Sequence, residues 1–224
     1  MIRRARDWFQ RFGAVQMCAV LAVDFDNTIV DYDDLVYRVA VRMDLIPEGP
    51  VLDKLEVRRR IRLQPNGEVA WQKLQATVYG PRIGEAKLVD GVASFFQKCK
   101  CRGCKVYIVS HKTEYASQDR TGTSLRSAAM GWMEEHGFFQ DLGLGLSPAD
   151  IYFEDTRAKK LERVKSLGCA FLIDDLAETF LEESFPQEVG KVLYDPHSAH
   201  PSIPGVKSAS NWGEITDYVF DASR

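Results

Sequence analysis

The chain predicts an α/β fold, a doubly wound parallel sheet of about five strands interrupted by a small helical insertion. Three observations predict it. Short apolar runs alternate with amphipathic segments of helical period, the pattern of successive strand–helix–strand units. Runs such as residues 20–23, 106–109 and 169–173 show no polar alternation, which suits strands buried on both faces. Between Tyr32 and Lys87 no strand pattern appears, so that stretch reads as a helical cap placed over the end of the first strand.

The totals bound the possibilities. With 224 residues, 45% of them hydrophobic, the chain can bury a sizeable core. Its net charge of -3 gives no general attraction to nucleic acid or to an anionic membrane surface. No apolar run approaches the length of a bilayer span. Residues 1–16 form a basic, amphipathic extension without the continuous apolar core of an export signal. Five cysteines, an odd number, and the missing signal point to a reducing, cytoplasmic setting. Cys99, Cys101 and Cys104 cluster, but a structural zinc site wants four ligands and no second Cys or His pair stands nearby, so a helix end and turn broken at Gly103 is the favoured reading.

In chain order, residues 20–23 predict the first strand, which runs straight into Asp24, Asp26 and Thr28. Two carboxylates two positions apart repel unless a cation or a proton lies between them, and oxygen ligands favour magnesium. Asp31, Asp33 and Asp34 precede a helical segment over 35–45, where acids cap amides and complement the helix dipole. A break at Pro47, Gly49 and Pro50 leads to a second helix over 51–63, which carries Arg58, Arg59, Arg60 and Arg62. These arginines either meet an anionic substrate from the cap or form a solvated face. A turn at Pro65-Asn66-Gly67 precedes a third helix over 68–79. The core resumes with a helix over 92–99, then a strand over 106–109 ending in Ser110, His111 and Lys112. A helix over 123–136 presents Leu125, Ala129, Trp132 and Met133 inward. A strand over 151–153 follows, then a helix from Thr156 stopped by Gly168. The strand over 169–173 runs into Asp174-Asp175. A fifth strand over 189–194, a Pro- and Ser-rich loop over 197–205 and a last helix over 212–220 complete the pattern.

Parallel strands with right-handed crossovers place their carboxyl ends on one edge, where open α/β sheets bind ligands. That edge collects Asp24, Asp26, Ser110, Asp174 and Asp175, with a lysine from the helix before the fourth strand. The series Asp-x-Asp-x-Thr, a strand-end Ser, a Lys, then an apolar run with Asp-Asp resembles the haloacid dehalogenase-like hydrolases, over residues 19–194. The resemblance implies a Rossmann-like core of residues 17–31 and 88–224, a cap of residues 32–87, and a bound Mg²⁺. It implies Asp24 as nucleophile and metal ligand, and Asp26 as general acid and base that also offers its main-chain carbonyl to the metal. Asp174 would be a direct ligand, and Asp175 a direct or water-mediated one. Ser110 would hold the phosphoryl group, with Thr28 near the substrate. His111 and Lys112, which follow Ser110, either read the substrate or have an ordinary surface role. Lys159 and Lys160 compete for the role of neutralising Asp24 and the phosphate. Adjacent helical residues point about 100° apart, so only one faces the site, and the spacing Thr-x-x-x-Lys-Leu resembles the usual start of this helix, which points to Lys160.

Carbon-dehalogenating relatives generally lack the second acid, so Asp26 directs the expectation to phosphate. The chain is expected to be a magnesium-dependent phosphatase of small phosphorylated metabolites, sugar phosphates or nucleotides, with no nucleic-acid partner. Its rivals are a phosphotransferase or mutase on the same intermediate, and a binding or regulatory module that keeps the fold without turnover.

Overall fold

The computed structural model describes residues 19–119 and 121–221, so the basic extension over 1–16 lies outside the described residues. Six parallel strands form one sheet: β1 (Leu21–Val23), β4 (Val106–His111), β5 (Ile151–Glu154), β6 (Phe171–Asp174), β7 (Gly190–Tyr194) and β8 (Val206–Ala209), in the order β5-β4-β1-β6-β7-β8. The first strand of the chain is therefore internal, paired in register with β4 (Val23 opposite Ile108) and with β6 (Val23 opposite Ile173).

The two faces of the sheet follow from the strand period of two. Leu21 and Val23 point into one apolar cluster with Val106, Ile108 and Ile173, while Ala22 points into the other with Val109 and Leu172. Helices α4 (Val92–Cys101), α5 (Leu125–Glu135) and α8 (Trp212–Asp221) cover the first face through Phe95, Trp132 and Ile215. Helices α6 (Arg157–Ser166) and the short α7 (Ala177–Leu181) cover the second through Leu161, Val164 and Phe180. Local signals set the helix ends. The Ser124 side chain accepts the Ser127 N–H, the Thr156 side chain accepts the Lys159 N–H, and Gly168 beyond α6 takes the left-handed conformation (φ 65°).

Between β2 (Val30–Asp31) and β3 (Lys87–Leu88) lie α1 (Asp33–Arg42), α2 (Lys54–Arg62) and α3 (Gly67–Tyr79). These three helices pack on one another through Leu35, Val57, Ile61 and Leu74. The chain enters and leaves them through an antiparallel ribbon that pairs Val30 with Leu88 and Asp31 with Lys87. The acids expected to cap α1 are shared more widely. Asp31 accepts the Asp33 N–H at 2.9 Å, but Asp33 accepts the Lys54 N–H at 3.2 Å and so caps α2.

Two features of the strands depart from the expectation, and the cysteines also bear on it. The sheet has six strands, because β8 is an edge strand whose Lys207 and Ser208 face solvent and leave no apolar run to read. The β2–β3 ribbon is two residues long on each side, too short for any period. The cysteines do not act together. Cys99 is buried, with burial pushing its thiol up to about 12, Cys101 is exposed, and Cys104 is disulfide-bonded rather than a free thiol. Among the described residues no metal-binding group includes a cysteine. No helix among them is long and apolar enough to cross a membrane.

Gly91, at the start of α4, tests how tightly the last helix seats. It has φ 90°, and a Cβ there would stand 2.8 Å from Trp212 Cβ. Gly91→Ala is expected to destabilise the protein by about 1–3 kcal/mol, because both the backbone angle and the overpacking act against it. Urea unfolding followed by tryptophan fluorescence measures this.

Candidate active site

Because β4, β1 and β6 are neighbours running the same way, their carboxyl ends share one rim. Beyond β1 the chain turns through Asp24 to Thr28, with Asn27 in the left-handed region (φ 58°) and the Phe25 carbonyl accepting the N–H groups of Ile29 and Val30. Phe25 turns into the core against Trp132, edge to face at 5.6 Å. The aspartates on either side of it are left on the rim. The Thr28 carbonyl accepts the Trp212 indole N–H at 3.1 Å, which ties this loop to α8.

Asp24, Asp174 and Asp175 each offer an oxygen within 4.8 Å of the others. Lys160, buried at the start of α6, donates to Asp24 at 2.5 Å and to Asp174 at 2.7 Å. The Asp174 carboxylate also accepts the Leu176 N–H at 2.9 Å. Three carboxylates against this one ammonium leave two negative charges on the rim. Burial first, and these neighbouring charges second, shift their titration. Burial pushes Asp24 up to about 7, with Lys160 opposing and Asp174 and Asp26 adding to the rise. Burial likewise raises Asp175 well above the usual carboxylate range, with Asp174 and Asp24 reinforcing it. Burial works against the Lys160 cation, and Asp174 and Asp24 outweigh it, so the lysine stays charged. A surplus of two charges on hard oxygen donors fits a divalent cation such as magnesium.

Asp26 stands apart from the cluster. Its carboxylate accepts the Tyr32 hydroxyl at 2.7 Å and pairs with Lys112 at 2.9 Å. Of Asp26, that leaves the main-chain carbonyl for a cation. Ser110 is buried, and its Oγ has no hydrogen-bond partner. A buried hydroxyl without a partner is costly unless a ligand meets it. Thr28 is fully buried and directs its hydroxyl to Asp175 at 3.4 Å. His111 lies at the cavity wall, with its Nε2 3.0 Å from the Asp155 carbonyl oxygen. Lys159 is exposed and pairs loosely with Asp155 at 3.9 Å, whereas Lys160 reaches the acids.

Above the rim a cavity of about 870 Å³ separates the core from the three inserted helices. Asp24, Asp26, Lys160, Asp174 and Asp175 line its floor, and Lys54, Leu55, Arg58, Gln75 and Tyr79 line its roof. Sequence reasoning missed Tyr32 and Lys54 here and left Lys112 open between a substrate contact and an ordinary surface role. Lys112 is 4% exposed. It sits two positions past Ser110, and the strand period could have placed both on one side. Tyr32 bonds Asp26 from the neck of the insertion. Lys54 descends from α2 to donate to the Asn27 side chain at 2.7 Å, and no motif marks it.

No family model matches the chain, and no curated protein does. Solved structures do. A putative haloacid dehalogenase-type hydrolase from Bacillus subtilis, bound to magnesium, superposes with a TM-score of 0.56 at 14% identity, over 90% of this chain and 98% of that one. A hydrolase of the same type from Deinococcus radiodurans, with bound phosphate and sodium, gives 0.54 at 14% identity, over 92% and 96%. Protein tyrosine kinase A from Mycobacterium tuberculosis gives 0.57 at 15% identity, over 91% and 99%. The chain thus has the haloacid dehalogenase-like fold, a parallel α/β core whose acidic rim lies at the strand ends. At these identities the likeness is one of fold.

The Lys160 contacts carry a stability consequence. Lys160→Met would leave two buried carboxylates facing each other, and in metal-free buffer it is expected to destabilise the protein by about 3–5 kcal/mol. Lys159→Met, on the exposed side of the same helix, is expected to stay within about 0.5 kcal/mol of the parent. Denaturant titration of both variants with a chelator present makes the comparison.

Proposed function

We propose that the protein is a magnesium-dependent phosphatase that hydrolyses a small phosphomonoester through an aspartyl-phosphate. The observation that carries this reading is the convergence of Asp24, Asp174 and Asp175 with Lys160 on one rim; the buried Ser110 hydroxyl, on the neighbouring strand β4, has no hydrogen-bond partner. Asp24, Asp174, Asp175 and the Asp26 carbonyl would hold the metal, which when bound offsets the charge of the phosphoryl oxygens.

In the first half-reaction an Asp24 carboxylate oxygen forms a bond to phosphorus, the bond from phosphorus to the ester oxygen breaks, and Asp26 gives its proton to the departing alcohol. In the second, water attacks the same phosphorus, Asp26 takes a proton from it, and the bond from phosphorus to Asp24 breaks to release phosphate. Lys160 offsets charge on Asp24 and on the entering phosphoryl group throughout. Ser110 donates its hydroxyl to a phosphoryl oxygen. Tyr32 and Lys112 fix the Asp26 carboxylate for both proton transfers. The roofed cavity suits a substrate of sugar phosphate or nucleotide size.

A second reading, transfer of the phosphoryl group to another alcohol, is favoured by one fold neighbour being named a protein tyrosine kinase. Free phosphate as the product supports hydrolysis, and a phosphorylated acceptor supports transfer.

Release of phosphate from an aryl phosphate is expected in Mg²⁺, to fall to background with chelator, and to return when Mg²⁺ is added back. Asp24→Asn is expected to lose at least about 10³-fold in kcat. Asp26→Asn is expected to lose about 10²- to 10⁴-fold. Full activity in Asp24→Asn would rule out this assignment of the nucleophile.

A further inference from the structure

The positive charges of α2 divide into those with a carboxylate partner and those without. Arg59 and Arg60 each pair with Glu56 at 2.7 Å, and Arg62 pairs with Glu68 at 2.7 Å. Glu56 and Glu68 thus engage these three, none of which lines the cavity. Lys54 and Arg58 stand four residues apart, on one face, and both line the cavity roof. Among the described residues neither has a carboxylate within 4.0 Å of its charged group. Asp33 engages the Lys54 main-chain N–H and not the ammonium. The ammonium instead reaches Asn27, inside the acidic loop, and lies 5.6 Å over the Tyr79 ring. Burial works against that charge, and Tyr79, Asp175 and Asp26 outweigh it.

Asp175 and Asp26 offset part of the Lys54 charge, whereas Arg58, one turn on, adds a like charge on the cavity side with no carboxylate partner of its own. The acids that share the cavity with them are mostly engaged elsewhere. Asp33 is 3.1 Å from the His197 ring, and Asp195 accepts the N–H groups of Ala199 and His200. Asp31 and Asp90 line the neck side and would repel an anion toward the roof.

We propose that Lys54 and Arg58 bind a second anionic group of the substrate, so that the substrate is a phosphomonoester carrying a further carboxylate or phosphate. The proposal rests on the phosphatase reading and narrows its substrate class. With the ester phosphate on the rim at Asp24, the second anion meets the roof near Asn27, and the cavity is of the size that holds such a molecule. Closing on a substrate of this kind lets two roof cations and the rim's Lys160 share its charge.

Matched pairs of phosphomonoesters test it. Phosphate release is measured for 3-phosphoglycerate against glycerol 3-phosphate, which differ by a carboxylate in place of a hydroxymethyl group. It is measured likewise for glucose 1,6-bisphosphate against glucose 1-phosphate, and the two pairs separate a carboxylate from a second phosphate. The expected result is a kcat/KM at least tenfold higher for the doubly anionic member of one pair, expressed mainly in KM. Lys54→Met and Arg58→Ala are each expected to bring that ratio down toward one, while Arg59→Ala keeps it. Arg58 is exposed, so its variant reports on binding if Lys54→Met folds poorly. Equal rates within both pairs, or an unchanged ratio in Arg58→Ala, would overturn the proposal and leave the phosphatase reading standing. Failure to release phosphate from these compounds and from an aryl phosphate would remove both.

Discussion

The ammonium of Lys160 is the constraint on which the arrangement of the rim depends. It bridges Asp24 after β1 and Asp174 at the end of β6, two neighbouring strands whose acids would otherwise repel across a dry interior. For the lysine to arrive there, α6 must lie against the second face of the sheet, and Leu161 and Val164 hold it there. The strand register must also be kept, because a slip of one residue would turn Asp24 inward and Phe25 outward. Packing and electrostatics are thus coupled. The helix that fills the core also supplies the charge that makes the acidic rim tolerable.

The rim is still undercharged with cations, and the protein surrounds it with further partial compensation. Lys112 and Tyr32 take Asp26 out of the cluster, Thr28 contacts Asp175, and Lys54 reaches down from the inserted helices. Two of these four contacts come from the insertion or its neck. The position of the insertion over the core therefore bears on the electrostatics of the floor as well as on access to it. Tyr32 and Tyr79 meet edge to face at 4.6 Å, which links the neck to the roof in the same place.

Most of the core was legible in the sequence because buried parallel strands are apolar throughout and their polar ends fall where the ligand edge must be. Asp24, Ser110 and Asp174 could be found in that way, and the helix signals at Thr156 and Gly168 framed the segment holding Lys160. What escaped has physical reasons. Strand β8 is an edge with two solvent-facing polar residues, so it lacks the apolar run of the inner strands. The ribbon β2–β3 has no length over which a period could appear. Lys112 and Lys54 act through long flexible stems, whose ammonium groups end far from their own backbone. A cationic side chain of that kind reads as surface until the tertiary structure closes over it. The arginines of α2 show the reverse. Their clustering was visible, but only the structure distinguishes Arg58 from the three paired with Glu56 and Glu68.

The central place of β1 has a bearing on how the protein is made. This segment is synthesised ahead of every other described strand, yet its neighbours begin at Val106 and Phe171. As the ribosome delivers the chain, Leu21, Ala22 and Val23 stay without a pairing partner while the entire insertion is produced. The indole that braces the Thr28 carbonyl comes later still, at Trp212. Pairings this distant in sequence make assembly slow and leave apolar strand edges open meanwhile. The acidic edge of the nascent polypeptide can assemble only after Asp175 has been translated.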